Sequence, residues 1–178
     1  MADKKTDLDI PDGDFLEKLR RVYETLRKRM NEEWHRDLPL EELLFDRWER
    51  ASSLGFGAGA SIYHNSYVFG DVSVGAHTWI GPFTVLDGTG GLHIGSYCSI
   101  SSGVQIYSHD TVQWAIKGGA APYEHAPVSI GDRCYLGPYA VVAKGVSIGE
   151  ESIIGAHSLV ISDIPAGSKA VGCPARIV

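Results

Sequence analysis

The sequence predicts an all-β fold, a parallel β-helix of about five coils, and three observations carry that reading. Aliphatic residues recur every six positions between residues 62 and 160, glycine follows many of them directly, and one stretch breaks the repeat. The repeat is preceded by a segment with helical periodicity. The chain therefore divides into an N-terminal two-helix extension at 1–54 and the β-helix at 55–178. The second part includes an extruded loop at 107–127 and a tail at 161–178.

The aliphatic series runs through Ile62, Val68, Val74, Ile80 and Leu86, gains two residues, and resumes at Ile94, Ile100 and Ile106. It returns after the loop at Ile130, Leu136, Val142, Ile148, Ile154 and Val160. A spacing of six fits neither the helical period of 3.6 nor simple strand alternation. It fits a prism of short parallel strands joined by tight corners, in which three hexads close one coil of 18 residues. Each aliphatic points inward and contributes about 1.5–3 kcal/mol of transfer free energy. Small residues such as Thr78, Cys98, Val104, Cys134 and Ala140 stand two positions earlier and fit the narrow corner. Cys98 and Cys134 are thus read as core residues and not as nucleophiles. The glycines at 75, 81, 95, 131, 137, 149 and 155 either relieve crowding or permit unusual dihedrals near the corner.

The extension reads as helix over residues 14–53. Asp14 and Glu17 have capping-box spacing, and Leu16, Leu19, Tyr23, Leu26 and Met30 form one apolar face. A break at Asp37-Leu38-Pro39 precedes a second helix with Leu40, Leu43, Leu44 and Trp48 on its stripe, ending before Gly55. The Gly55–Ala60 segment matches a loose GxGxxA, but it follows a helix and not a strand, so it reads as a helix stop and a turn into the first coil.

Composition narrows the function. A net charge of −6 argues against broad nucleic-acid binding. No apolar run reaches the roughly 20 residues that cross a bilayer, so no membrane insertion is expected. The first residues lack the apolar core of a secretory leader. Three widely separated cysteines suggest neither a disulfide framework nor a metal site, and a reducing cytoplasm is the expected location.

From Ile106 to Ile130 the repeat gives way to a segment with Gly118-Gly119, Pro122, Pro127, Trp114, Tyr123, two histidines and two acids. Loops on rigid scaffolds are where sites are placed. His109 is the candidate catalytic base, because histidine titrates near neutral pH. Trp114, Tyr123, Glu124 and His125 are candidate substrate contacts, although Glu124 and His125 could serve only to anchor the loop. Asp87, where the repeat gains two residues, has the residue type of a turn. Only five Lys and Arg lie beyond residue 50, and Lys144, Lys169 and Arg176 stand toward the C-terminal end, where they suit an anionic ligand.

The hexad pattern resembles the hexapeptide-repeat acyltransferases over about residues 62–178, and within them the bacterial sugar O- and N-acetyltransferases. The tail sharpens the likeness: Val160-Ile161-Ser162-Asp163-Ile164-Pro165 matches V-x-x-D-I-P, and Gly172-Cys173-Pro174-Ala175-Arg176 matches G-x-P-A-[RK]. The resemblance implies a left-handed coil, acetyl-CoA as co-substrate, and a homotrimer with active sites between neighbouring β-helices. Ser108-His109-Asp110-Thr111 falls where the family keeps its catalytic histidine, and Asp87 resembles an acidic position that contacts the sugar. Arg176 inherits a contact to coenzyme phosphate, Gly155 and Ala156 a backbone contact to the pantetheine arm, and Gly137 a place beside the thioester. Lys144, near the C-terminal coils, and Ser162 and Lys169 on the tail join them as coenzyme candidates, and Asp87 is either that acceptor contact or a turn aspartate. The family often holds a serine where Pro138 stands here, and Pro138 has no N–H to offer an oxyanion.

The resemblance therefore implies direct acetyl transfer to a hydroxyl or amine of a sugar or nucleotide-sugar, in a surface-polysaccharide pathway suggested by the stretch from Trp48 to Gly57. The alternatives are a xenobiotic acetyltransferase and a non-catalytic trimeric scaffold. A zinc-dependent carbonic anhydrase on the same fold needs histidine ligands five residues apart, which this chain lacks, so no metal is expected. The N-terminal helices would cap the open end of the coil or extend the acceptor site.

Overall fold

The computed structural model describes residues 13–178, so the first residues, read above for a secretory leader, lie outside the described residues. The chain forms two compact units that meet between Asp46 and Arg47. The boundary thus falls before the position drawn at 54.

The first unit holds α1 (Gly13–Trp34) and α2 (Leu40–Leu44). Asp14 stands inside the first turn of α1 rather than capping it, and its carboxylate meets Lys18 at 2.5 Å. Further i,i+4 pairs, Glu17 with Arg21 and Arg29 with Glu33, line the exposed face. His35 ends the helix in a left-handed conformation, φ 52°.

The second helix expected from residue 39 to 54 is two helices. Phe45 is extended after α2, at φ −124° and ψ 143°, and α3 (Arg47–Ser53) begins afresh. The missed signal is Asp46 followed three residues on by Glu49, a start motif of capping-box type.

In the second unit α3 covers the first coil. Arg50 donates to the carbonyl oxygens of Tyr63 and Ser66, the latter at 2.8 Å, and Arg47 donates to the Tyr63 hydroxyl at 3.0 Å. The helix ends in a Schellman arrangement: Gly55 N–H donates to Ser52 O and Phe56 N–H to Ala51 O, both at 3.0 Å. Gly55 takes φ +74°, and Phe56 and Ala51 are buried together. Gly55–Ala60 is the helix stop and turn expected.

The chain then winds as a left-handed parallel β-helix. Ser61 pairs with Trp79, a step of 18 residues per coil. Trp79 pairs with Ser99 because the second coil gains two residues between Gly88, which pairs with Gly70, and Leu92, which pairs with Val72. The first face stacks the strands at Ser61–Ile62, Trp79–Ile80, Ser99–Ile100, Tyr135–Leu136, Ile153–Ile154 and Lys169–Gly172. The second face stacks Val68, Leu86, Ile106, Val142 and Val160, and the third stacks Val74, Ile94, Ile130, Ile148 and Ile164. A first corner, at 81–84, 101–104, 137–140 and 155–158, joins the first two faces. A second corner, at 87–91, 107–127, 143–146 and 161–163, joins the second face to the third.

Every aliphatic of the expected series is buried except Val68, which lies in the end coil and packs only partly against the core. The core also continues past Val160 through Ile164 and Ala170. The sequence reading stopped short because Ile164 follows by four residues instead of six. Five coils are complete, and an antiparallel pairing of Lys169–Gly172 with Ala175–Ile177 closes the end.

Crowding explains the hexad glycines. A Cβ on Gly137 would meet the Ala156 backbone nitrogen of the next coil at 2.5 Å. The left-handed residues are the second ones after these glycines, including Tyr97, Tyr139 and His157. Cys98 and Cys134 are buried corner residues that donate weakly to Gly131 O and Gly149 O, at 3.1 and 3.2 Å. The adjacent Cys98 sulfur and burial together push the Cys134 thiol up, which keeps it protonated.

Candidate active site

At the second corner of the third coil the chain leaves the helix after Tyr107 and returns at Val128. The excursion is a structured hairpin. Ala126 N–H donates to Ser108 O at 2.9 Å and closes its foot. Above the foot, His109–Asp110 pairs antiparallel with Glu124–His125, in the register His109 with His125 and Asp110 with Glu124. A short helix, α4 (Val112–Ile116), crosses the tip, and the Asp110 carboxylate accepts the Val112 amide at 3.0 Å. Trp114 and Tyr123 meet edge to face at 5.8 Å, and each is about half exposed. The ring centroids of Tyr123 and His125 lie 6.4 and 5.9 Å from that of His109.

His109 Nδ1–H donates to Asp87 Oδ2 at 2.5 Å. The Thr89 hydroxyl donates to Asp87 Oδ1 at 2.7 Å, and its oxygen lies 2.9 Å from His109 Nδ1 as a second acceptor. The amides of Thr89 and Ser108 complete the shell of Asp87, each at 3.0 Å. The Asp87 side chain is only 2% exposed. Burial pushes its carboxyl up, but the bonds from Thr89, His109 and Ser108 outweigh that and hold it below the usual carboxylate range. A carboxylate so enclosed has no room for an acceptor. The acceptor-contact reading of Asp87 gives way to one in which it orients His109. The arrangement fixes the imidazole through Nδ1 and turns Nε2 away from the carboxylate, as a base requires.

Sequence reasoning missed Thr89 and Ser108. Their signal was the two-residue insertion, which lifts Thr89 over Asp87. The same bulge lets Gly90 N–H donate to Ser108 Oγ at 2.7 Å, locking it to the loop foot.

A cleft of about 400 Å³ opens on the C-terminal side of His109, lined by Tyr107, His109, Val112, Val141, Ala143 and Lys144 among others. Lys144 is already engaged: it meets Asp110 Oδ2 at 2.9 Å and also the Glu124 carboxylate. The remaining coenzyme candidates are dispersed. Gly137, buried, stacks on Gly155 and exposed Ala156 at the first corner. Ser162 is exposed at the second corner, and Lys169 and Arg176 are exposed on the C-terminal hairpin. The full width of the second face separates Gly137 from Lys144, so one copy of the chain does not bring the two groups together. Among the described residues, no group of three or more His, Cys, Asp or Glu is placed to hold a metal ion, and no helix is long and apolar enough to cross a membrane.

The β-helix of six-residue repeats is shared with known transferases. Residues 127–162 match the bacterial transferase hexapeptide (six repeats) model. Nodulation protein L of Rhizobium meliloti (strain 1021) is 40% identical over 124 residues, covering 68% of this chain and 67% of its own. Nodulation protein L of Rhizobium leguminosarum bv. viciae is 39% identical over 138 residues, covering 74% and 72%. A hexapeptide-repeat acetyltransferase from Vibrio cholerae O1 biovar eltor, solved with acetyl-CoA, superposes with a TM-score of 0.61 at 26% identity over 93% of this chain and 88% of that one. The N-acyltransferase AntD of Bacillus cereus shares the fold at TM-score 0.61 and 21% identity over 75% and 89%. The chain belongs to the bacterial hexapeptide-repeat transferase family.

Proposed function

We propose that the protein transfers an acetyl group from acetyl-CoA to a hydroxyl or amino group of a sugar or nucleotide-linked sugar, with His109 as general base in a direct transfer. The observation that carries this is the Asp87–His109 bond at 2.5 Å inside a shell of three further donors. His109 Nε2 accepts the acceptor's proton as the acceptor oxygen or nitrogen bonds to the thioester carbonyl carbon. The carbon–sulfur bond then breaks, and the proton on Nε2 passes to the departing thiolate. Asp87 keeps Nδ1–H in place and stabilises the transient imidazolium. No acyl-enzyme forms. The half-exposed Trp114 and Tyr123 beside His109 offer ring faces to a sugar. The related Vibrio enzyme solved with acetyl-CoA supports the choice of donor.

The working unit is a homotrimer. The first face presents Trp79, Tyr135 and Ile153 outward and the second Tyr67, Val85, Val141 and Leu159, whereas the third presents Ser73, His93, Ser129 and Ser147. With the sites between neighbouring copies, as in the resembling family, the first corner of one copy, with Gly137, Gly155 and Ala156, would face the extruded loop of the next, with His109. Three free cysteines, two of them buried, suit a reducing cytoplasm, and a role in surface-polysaccharide synthesis would use such an acceptor there.

The test is a thiol-release assay with acetyl-CoA against amino-sugar nucleotides, simple sugars and antibiotics, with His109→Ala beside the parent. Turnover on a sugar acceptor that falls about 10²–10⁴-fold in the variant supports the reading. Turnover only on an antibiotic makes the protein a xenobiotic acetyltransferase. No turnover together with no coenzyme binding by calorimetry makes it a scaffold.

A further inference from the structure

The loop that carries His109 is held over the coil by more than its foot. Asp110 and Glu124 face each other across the hairpin, one step from the His109–His125 pair. Like charges directly opposite each other in an antiparallel ladder repel. Lys144 comes from the coil stacked beneath, where Val141 and Val142 pair with Gln105 and Ile106. Its ammonium bridges both carboxylates, at 2.9 Å to Asp110 and in direct contact with Glu124. Its side chain is 23% exposed, against 34% for Asp110 and 50% for Glu124, so the cation is the most enclosed of the three. The next residue, Gly145, donates its N–H to Ala126 O at 3.2 Å. Two consecutive residues of the lower coil therefore hold the hairpin, Lys144 at both strands and Gly145 at the foot of the returning one.

We propose that Lys144 is a positioning residue: it clamps the two strands of the hairpin to the coil and to each other, fixing His109 and His125 at the mouth of the cleft, and it does not bind coenzyme phosphate. The hydrogen bond from Lys144 is the main cause that holds the Asp110 carboxyl below its ordinary range, and the Glu124 carboxylate accepts from the same ammonium. An ammonium already shared between two carboxylates has little left for a phosphate. The coenzyme's anionic groups fall to Lys169 and Arg176 on the C-terminal hairpin, neither of which makes an ion pair among the described residues.

This inference rests on the acyl-transfer reading for its kinetic consequence, but not for its structural one. Hydrogen exchange by mass spectrometry on the full chain should show peptides covering 109–126 exchanging faster in Lys144→Met, with coil peptides unchanged. Lys144→Arg should restore protection, because a guanidinium can bridge the same pair, and Glu124→Gln should fall between. In the acetyl-CoA assay, kcat of Lys144→Met should drop roughly 10- to 100-fold, the scale of a misplaced catalytic group. KM for acetyl-CoA should stay within about twofold. Unchanged loop exchange in Lys144→Met overturns the clamp. So does a large rise in the coenzyme's KM with kcat intact, which is the signature of a phosphate ligand. If the parent shows neither turnover nor coenzyme binding, the acyl-transfer reading fails while the exchange experiment still decides the clamp.

Discussion

Between Ser61 and Ile106 almost every contact recurs one coil further on: Ile62 on Ile80, Ile80 on Ile100, Ile100 on Leu136. Between Tyr107 and Pro127 no contact recurs. Each bond there, Asp87 to His109, Thr89 to Asp87, Lys144 to Asp110 and Glu124, is made once. A repeated environment spreads its stability over many equivalent positions, whereas a unique one concentrates function in a few side chains. The scaffold and the site should therefore fail in different ways when they are mutated.

The largest effect should come from the loop side. Asp87→Asn keeps the shape but loses the acceptor that fixes Nδ1–H, and turnover should fall by about 10²–10⁴-fold, as expected when a carboxylate no longer sets a histidine's tautomer. Coenzyme binding by calorimetry should be little changed. A variant with near-normal turnover would remove Asp87 from the mechanism.

Ile100→Ala should do the reverse. It empties a fully buried ladder position and should cost about 2–5 kcal/mol in chemical denaturation, while the molecules that remain folded turn over normally. Loss of turnover at full stability would erase the distinction between the two regions.

A subtler difference lies in pH. Asp87 is held below the usual carboxylate range, so its contribution to stability is present above the ordinary value of about 3.9 and is lost as pH falls through the depressed one. The stability gap between parent and Asp87→Asn should be constant at neutral pH and close only below that ordinary value. A gap that closes at higher pH would mean that the carboxylate is not held as described. The smallest effect should be at the remaining corner, between the third face and the first, where exposed Arg133 pairs with Glu150 and Glu151. Arg133→Ala should leave both melting temperature and turnover unmoved.

The same contrast decides what could be read from the sequence. The inward series, the corner residues and the site of the interruption were legible because a period leaves many copies of one signal. Ile164 and Ala170 escaped because the tail shortens the period there. The place of His109 at the foot of the loop was legible because the loop interrupts the pattern beside it. The bonds around Asp87 were not, since they depend on a two-residue bulge bringing Thr89 over it and on Ser108 presenting its amide. Lys144 looked like a coenzyme ligand because basic residues are scarce near the C-terminal coils. Only the register of the hairpin reveals the two carboxylates facing it. The break at Phe45 was hidden under a continuous apolar stripe, with Asp46 and Glu49 as its only mark.

In the proposed trimer the loop of one copy would work against the first corner of the next. Co-expression of His109→Ala with Ala156→Trp, each assembled alone as a control, tests it most directly. If sites are shared, each variant alone should be nearly inactive. Random mixed trimers should then recover about a quarter of the parent's turnover, because one site in four pairs an intact His109 with an intact Ala156. Mixtures no more active than the separate variants would contradict the account and place the whole site within a single copy.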